Sequence, residues 1–222
     1  MKKVTIITGH YGSGKTNISV NLALELAKTG ERVTVVDLDI VNYYFRTADF
    51  KKLFAENGIE LISSMYANTN LDIPAISFDI ERLCRDEGYL IIDVGGDDAG
   101  ATALGRYKEP FEELKANNQI DMFYVINCCR YLTSTSEEAL ELMYEIEETA
   151  RFKHTGIVNN SNLGTETTVQ TAVDAVEFGK EVSKNAGIPV IFNSYPAESE
   201  KPEVEGVNFK PVINFVKPIW EQ

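Results

Sequence analysis

Short apolar runs alternate with longer segments of helical periodicity along most of the chain. Seven runs rich in apolar and β-branched residues predict strands, at 3–8, 32–38, 59–62, 89–94, 121–127, 155–160 and 188–193. Most of these runs are continuously apolar, which is typical of parallel strands buried on both faces. Their alternation with helical segments predicts an α/β fold with a doubly wound, mostly parallel sheet flanked by helices.

The clearest predicted helix extends from Ser134 to Arg151. Its apolar residues recur at helical spacing, and the pair Ser134 and Glu137 predicts a capping box at its start. The segment 196–222 contains several prolines and has the weakest pattern. Because no repeat, low-complexity segment or linker divides the sequence, we expect residues 1–222 to form a single domain.

Composition and charge argue against several classes of partner. A net charge of -13 over 222 residues and a pI near 4.7 oppose contact with nucleic-acid phosphates and anionic lipid. The apolar runs are shorter than the roughly 18 residues of a membrane span, and the first residues lack the pattern of a signal peptide. We therefore expect a cytoplasmic protein that binds neither nucleic acid nor membrane directly.

One motif carries most of the predicted chemistry. The stretch GHYGSGKT, at 9–16, lies between a predicted strand and a predicted helix. A glycine-rich loop of this kind points backbone N–H groups at phosphate oxygens, and the start of the helix adds its positive dipole end. Lys15 is expected to reach the β- and γ-phosphates and Thr16 to bind Mg²⁺. The predicted nucleotide-binding residues here are Gly9, Gly12, Ser13, Gly14, Lys15, Thr16 and Asn17.

Aspartates end two further predicted strands, at the edge where an open parallel sheet holds its ligand. Asp39 closes the stretch VVDLD, and Asp93 closes IID and begins a D-x-x-G pattern that ends at Gly96. This pattern predicts that Asp93 holds Mg²⁺ through water and that the Gly96 amide senses the γ-phosphate. Aspartates at strand ends are also common turn residues. The phosphate-binding loop is what favours the binding role.

The order GxxxxGKT, VVDLD and IIDVGG resembles the nucleotide-binding fold of the ParA/MinD-type P-loop ATPases. This superfamily includes relatives of arsenical pumps and of the nitrogenase iron protein, and cobyrinate- and dethiobiotin-synthase-like enzymes. The resemblance covers residues 1–195. It implies that Asp39 lies in switch I, contributes to the metal site and orients the attacking water, and that Asp93 is the Walker B carboxylate. It also implies a Mg²⁺-dependent ATPase that acts as a switch, often as a homodimer with ATP between the subunits.

The loop departs from the K-G-G-x-G-K-[ST] pattern of these ATPases at His10, which replaces a signature lysine. Histidine is shorter and mostly neutral near pH 7, so it is a weak substitute. Arg46, in the predicted switch I, is a candidate for contact with the γ-phosphate or an anionic substrate, because arginine forms bidentate contacts with such groups. A solvated arginine is the equal alternative. Arg106 and Lys108 are weaker candidates for the same role.

The predicted strand end at 159–162 reads Asn-Asn-Ser-Asn and lacks the lysine and aspartate of the guanine-binding N-K-x-D motif. An amide offers a single acceptor group to the guanine edge, so the sequence favours ATP over GTP. In the ATPases that the chain resembles, an asparagine at this strand end contacts adenine, which makes Asn159 or Asn160 a candidate base reader. The alternative is a plain turn.

Two other functions remain open at this stage. One is a small-molecule kinase or ATP-dependent synthase whose acceptor binds between Arg46, its aromatic neighbours and the 63–75 loop. The other is a nucleotide-binding module that hydrolyses little, which would follow if nothing replaces the lost lysine. The sequence does not name the partner protein or acceptor.

Overall fold

The computed structural model describes residues 1–39, 50–63, 80–96 and 98–215. In these ranges the strands are β1 (Val4–Gly9), β2 (Val33–Leu38), β3 (Glu60–Ser63), β4 (Tyr89–Val94), β5 (Ile120–Ile126), β6 (Gly156–Asn159), β7 (Val190–Pro196) and β8 (Phe209–Val212). They form one sheet in the order β3-β2-β4-β1-β5-β6-β7-β8, and every described pair is parallel. The predicted α/β fold with a parallel sheet is therefore confirmed.

Helices cover both faces of this sheet. They are α1 (Lys15–Ala27), α2 (Lys51–Glu56), α3 (Ile80–Arg85), α4 (Asp98–Gly105), α5 (Lys108–Ala116), α6 (Ser136–Ala150), α7 (Val169–Asp174) and α8 (Val176–Ala186). None of the described helices has the length and hydropathy that crossing a membrane requires.

Consecutive residues of the central strands pack into opposite layers of the core. Ile6 of β1 belongs to the cluster shared with α3 to α6, whereas Ile7 belongs to the cluster shared with α1 and α2. Both side chains are fully buried. Because side chains alternate between the faces of a strand, burial of both neighbours requires helices on both sides of the sheet. This is why the strand sequences are continuously apolar.

All seven predicted strands are present, and β8 is an additional one. It pairs with β7 at the edge of the sheet, with Tyr195 opposite Pro211. A proline lacks the N–H that a residue of a central strand donates to the neighbouring strand, so prolines within strands occur mainly at sheet edges. Pro211 weakened the strand pattern in the sequence, and the edge position explains why the fold tolerates it.

The start of α6 differs from the prediction. The capping box consists of Thr135 and Glu138, one residue later than the predicted pair Ser134 and Glu137. The Glu138 carboxylate accepts hydrogen bonds from the backbone N–H groups of Ser134 and Thr135 and from the Ser134 hydroxyl. The later start lets one carboxylate satisfy three donors.

A buried polar network connects the end of α6 to β1. The Glu147 carboxylate accepts hydrogen bonds from the backbone N–H and the Nδ1 of His154, and it pairs with Lys153 at 2.6 Å. The other ring nitrogen of His154 lies 2.7 Å from the Thr8 hydroxyl. With Nδ1–H donating to the carboxylate, Nε2 accepts the Thr8 O–H. Thr8 directly precedes the phosphate-binding loop.

Acid is expected to destabilise the fold through this network. Burial lowers the pKa of His154 from its ordinary 6.5, and the Glu147 carboxylate opposes part of that shift. Burial of Glu147 opposes its ionisation, but hydrogen bonds from His154 and Lys153 outweigh this and lower its pKa from 4.5 to about 2. The unfolded chain therefore binds more protons as the pH falls from 6.5 towards 2, which lowers the free energy of unfolding.

Urea unfolding between about pH 7.5 and pH 2.5 measures this effect. Each proton that the unfolded chain binds in excess changes the free energy of unfolding by up to about 1.4 kcal/mol per pH unit. His154→Gln is expected to flatten the dependence that begins as the pH falls below about 6.5, and Glu147→Gln to flatten it below about pH 4.5. A His154→Gln protein with the same pH dependence as the wild type would contradict the assignment.

Candidate functional site

The phosphate-binding loop lies between the end of β1 and the start of α1. Gly12 and Gly14 have φ angles of 77° and 89°, in the left-handed region where glycine carries no steric penalty. Gly14 is the N-cap of α1, and no side chain among the described residues caps that helix. The first N–H groups of α1 are therefore left for ligand oxygens, at the positive end of the helix dipole.

Lys15 and Thr16 begin α1 and line the cavity beside the loop. Both residues are largely buried, and the Lys15 ammonium donates to the carbonyl of His10 at 3.1 Å. The buried hydroxyl of Ser13 has no hydrogen-bond partner within the described part of the chain. The loop thus presents a cation, backbone donors and hydroxyl groups in one place.

The cavity has a volume of about 760 Å³. Its walls come from the carboxyl ends of β1, β5, β6, β7 and β8, the edge at which open parallel sheets bind ligands. The lining residues are Tyr11, Gly12, Gly14, Lys15, Thr16, Asn17, Asp39, Arg130, Asn160, Asn162, Leu163, Gly164, Thr165, Glu166, Thr167, Ser194, Tyr195, Pro196, Glu198, Val212, Ile213 and Asn214.

Three aspartates end the strands next to the loop. Asp37 and Asp93 are buried and lie opposite each other in β2 and β4, and Asp93 accepts a hydrogen bond from Ser19 at 3.0 Å. The Asp37 carboxylate accepts a hydrogen bond from the backbone N–H of Asp39, and Asp39 itself lines the cavity. Together with the Thr16 hydroxyl, these groups are all oxygen donors, the ligand type that suits Mg²⁺.

Gly96 packs against the phosphate-binding loop. A Cβ atom at this position would lie 2.7 Å from the backbone nitrogen of Tyr11 and 2.8 Å from the ammonium nitrogen of Lys15. Any side chain would force the two segments apart. The D-x-x-G segment that begins at Asp93 therefore meets the loop through a residue that has to be glycine.

The two candidate base readers occupy different positions. Asn160 lines the cavity, and its amide donates to the Ser13 carbonyl at 2.8 Å and accepts from Ser194 at 2.6 Å. Asn159 is buried, and its amide bonds to Ala175, Asn193 and Ser161. Asn160 thus holds the loop against β6. A base-reading role for either asparagine stays a prediction.

His10 does not supply the charge of the missing lysine. Burial, and then the neighbouring Lys15 ammonium, lower the pKa of the His10 imidazole. Its Nδ1 lies 3.0 Å from the carbonyl oxygen of Tyr11. Arg46 and most of the 63–75 loop lie outside the described residues, so their predicted roles stay predictions. Arg106 and Lys108 are not among the residues that line the cavity.

Several cavity residues were missed by sequence reasoning. Arg130 follows β5, and its Nε donates to the carbonyl of Gly12 at 3.2 Å. A basic residue just beyond the carboxyl end of a predicted strand was the available signal. The segment after β8 forms another wall, because Asn17 accepts the N–H of Phe215 and Asn21 bonds to Ile213 in both directions. No pattern in the sequence indicated that contact.

Comparisons with known proteins agree with this geometry. The profile of the family described as "CobQ/CobB/MinD/ParA nucleotide binding domain" matches residues 4–189. A Methanocaldococcus jannaschii protein named "Uncharacterized ATP-binding protein" is 32% identical over 134 residues, which are 56% of this chain and 43% of the relative. The chain thus matches less than half of that relative's length.

Solved structures of the cell division protein FtsY share the fold. The Thermotoga maritima protein superposes with a TM-score of 0.58 at 20% identity, covering 88% of this chain and 62% of that one. The Mycoplasma mycoides protein gives a TM-score of 0.57 at 18% identity, with 86% and 58% covered. At these identities the similarity concerns the fold alone.

Proposed function

Because the chain belongs to the CobQ/CobB/MinD/ParA nucleotide-binding domain family, we propose that it is a Mg²⁺-dependent ATPase that acts as a nucleotide-driven switch. The observation that carries this proposal is the phosphate-binding loop, which opens with Lys15 and the uncapped start of α1 into a cavity of about 760 Å³. That volume lies within the roughly 300–1,000 Å³ of small-molecule sites.

The triphosphate would occupy the end of the cavity next to α1. The Lys15 ammonium is buried there and donates a hydrogen bond to a backbone carbonyl, that of His10. A γ-phosphate oxygen is a stronger acceptor than a neutral carbonyl, so phosphate binding would draw the ammonium towards the ligand. The N–H groups at the start of α1 add their partial positive charge.

The oxygen donors of the site fit Mg²⁺. Thr16, Asp39 and Asp93 would hold the ion, directly or through water, and it would supply charge neutralisation on the phosphates. Asp39 would orient the water that forms the new P–O bond as the bond between the β- and γ-phosphates breaks, giving ADP and phosphate. Its place on the cavity wall supports this role.

The base would lie between the segments after β6 and β7. The M. jannaschii relative is named an ATP-binding protein, and the strand end lacks the guanine-binding motif. Glu166 and Glu198 also line the cavity, however, and a carboxylate can accept both N–H donors of guanine. ATP is expected to bind at least about tenfold tighter than GTP, a difference of about 1.4 kcal/mol.

Calorimetric titration with ATP, ADP and GTP, each with Mg²⁺ and with a chelator, tests binding and base choice. Tighter GTP binding would overturn the choice of ATP. Phosphate release from ATP without any added acceptor tests hydrolysis. Asp39→Asn is expected to lower release more than it weakens ATP binding, because Asp39 acts on the attacking water as well as on the metal site. Release that requires a small-molecule acceptor would favour a kinase or synthase instead.

The switch requires that the two nucleotide states differ. Light scattering with Mg-ADP and with a slowly hydrolysed ATP analogue measures the solution mass in each state. A mass that doubles only with the triphosphate analogue supports a nucleotide-driven homodimer. The same mass in both states, with no change in protease sensitivity, would contradict a switch and leave a binding protein.

A further inference from the structure

We propose that Arg130 is a phosphate-contacting cation of this site and replaces, within the same chain, the charge that His10 does not provide. This inference rests on the proposed nucleotide binding. Arg130 lines the cavity, and it lies on the loop after β5, far in sequence from the glycine-rich motif. Lys15 would be joined by a guanidinium from the loop that follows the neighbouring strand β5.

Contact with Gly12 places the guanidinium against the phosphate-binding loop. The Arg130 Nε donates to the Gly12 carbonyl at 3.2 Å, and a Cβ atom on Gly12 would lie 3.6 Å from that nitrogen. Within the described residues this is the only hydrogen bond of the side chain, and no ion pair involves it. Arginine has five N–H donors in a planar fork. The four N–H bonds of the two terminal nitrogens are therefore available to a ligand.

The loop that carries Arg130 is held in place by a buried side chain. The Asn127 amide oxygen accepts the N–H groups of Cys129 and Asn162, at 3.0 and 3.2 Å, and its carbonyl accepts the Thr133 hydroxyl at 2.9 Å. Asn127 is fully buried. A fixed loop lowers the entropy that Arg130 loses on binding a ligand, which favours a preorganised contact.

The chemistry of the fork suits a phosphate, and the neighbouring glycine-rich loop favours that ligand over a carboxylate. A guanidinium forms paired, charge-assisted hydrogen bonds with phosphate oxygens, and it stays charged throughout the physiological range. In a chain with a net charge of -13, a cation next to the cavity also offsets the repulsion that an incoming triphosphate meets. Arg130 donates a hydrogen bond to Gly12 in the phosphate-binding loop of the same chain. It would therefore act on the nucleotide bound by its own subunit.

Titration of the Arg130→Ala, Arg130→Lys and wild-type proteins with Mg-ADP and a slowly hydrolysed Mg-ATP analogue tests the proposal. Arg130→Ala is expected to weaken binding of the analogue by about tenfold or more, with a smaller loss for ADP. Arg130→Lys is expected to restore part of it. Arg85→Ala, which removes an exposed arginine of α3 outside the cavity, is the matched control and leaves both affinities unchanged.

Two results would overturn the assignment of a phosphate contact to Arg130. One is unchanged affinity for the analogue in Arg130→Ala. The other is an equal loss for analogue, ADP and adenosine, because it would mean that Arg130 only supports the loop. If an equimolar mixture of Arg130→Ala and Lys15→Ala regains hydrolysis, the contact crosses between subunits instead. A folded wild-type protein that binds no nucleotide at all would refute the proposed function rather than this contact.

Discussion

Replacing Gly14 by alanine is expected to abolish nucleotide binding and to destabilise the fold. The φ angle of Gly14 is 89°, and a Cβ atom there would overlap the amide nitrogen of Asn160, which bonds to Ser13. The alanine therefore strains the N-cap of α1 and also pushes away the side chain that holds the loop against β6. Both changes displace the N–H groups that would bind phosphate.

Gly30→Ala is the matched control for this substitution. Gly30 has a φ angle of 82°, and a Cβ atom there would have nothing within 4 Å. It carries only the left-handed backbone penalty, about 1–2 kcal/mol for a non-glycine residue. Urea unfolding and ATP titration of both variants separate the backbone strain, which both substitutions cause, from the steric overlap with Asn160, which only Gly14→Ala causes. Gly14→Ala with ATP affinity within threefold of Gly30→Ala would contradict the proposed place of the phosphates.

The order and type of the central elements followed from the sequence, because burial on both faces leaves a direct signal. Ile6 and Ile7 pack into opposite layers, and such pairs produce the continuous apolar runs that predicted β1 and its neighbours. The strand β8 gave no such signal. It pairs with β7 at the edge of the sheet, and Pro211 argues against a strand unless its edge position is known.

The loop at the α1 end of the cavity was predictable because its residues are local. The segment 9–17 contains both the loop and the start of the helix, and this order has a direct chemical interpretation. The other walls depend on which strands are neighbours. Arg130, Tyr195 and Ile213 lie far apart in the sequence, and only the order β5-β6-β7-β8 brings them to one cavity. The capping box of α6 lies one residue later than predicted, because two overlapping S/T-x-x-E pairs occur there in the sequence.

Replacing Lys15 by methionine is expected to lower phosphate release from ATP by about 100- to 1,000-fold. The ammonium is the buried cation at the start of α1, where the γ-phosphate would lie. Methionine keeps a similar apolar stem and removes only the charge. The hydrogen bond to the His10 carbonyl is also lost, and such a bond from a charged donor contributes about 1.5–3 kcal/mol to folding. The variant is therefore expected to fold with somewhat lower stability and to fail in turnover.

Lys28→Met separates this site-specific effect from a general loss of positive charge. Lys28 is the exposed C-cap at the opposite end of α1, so its variant has the same net charge as Lys15→Met. Phosphate release at saturating ATP, together with thermal unfolding, measures both variants. The Lys28 protein is expected to match the wild type. If Lys15→Met releases phosphate within threefold of the Lys28 control, hydrolysis takes place away from this loop, because a site built around that ammonium could not lose it without losing transition-state stabilisation.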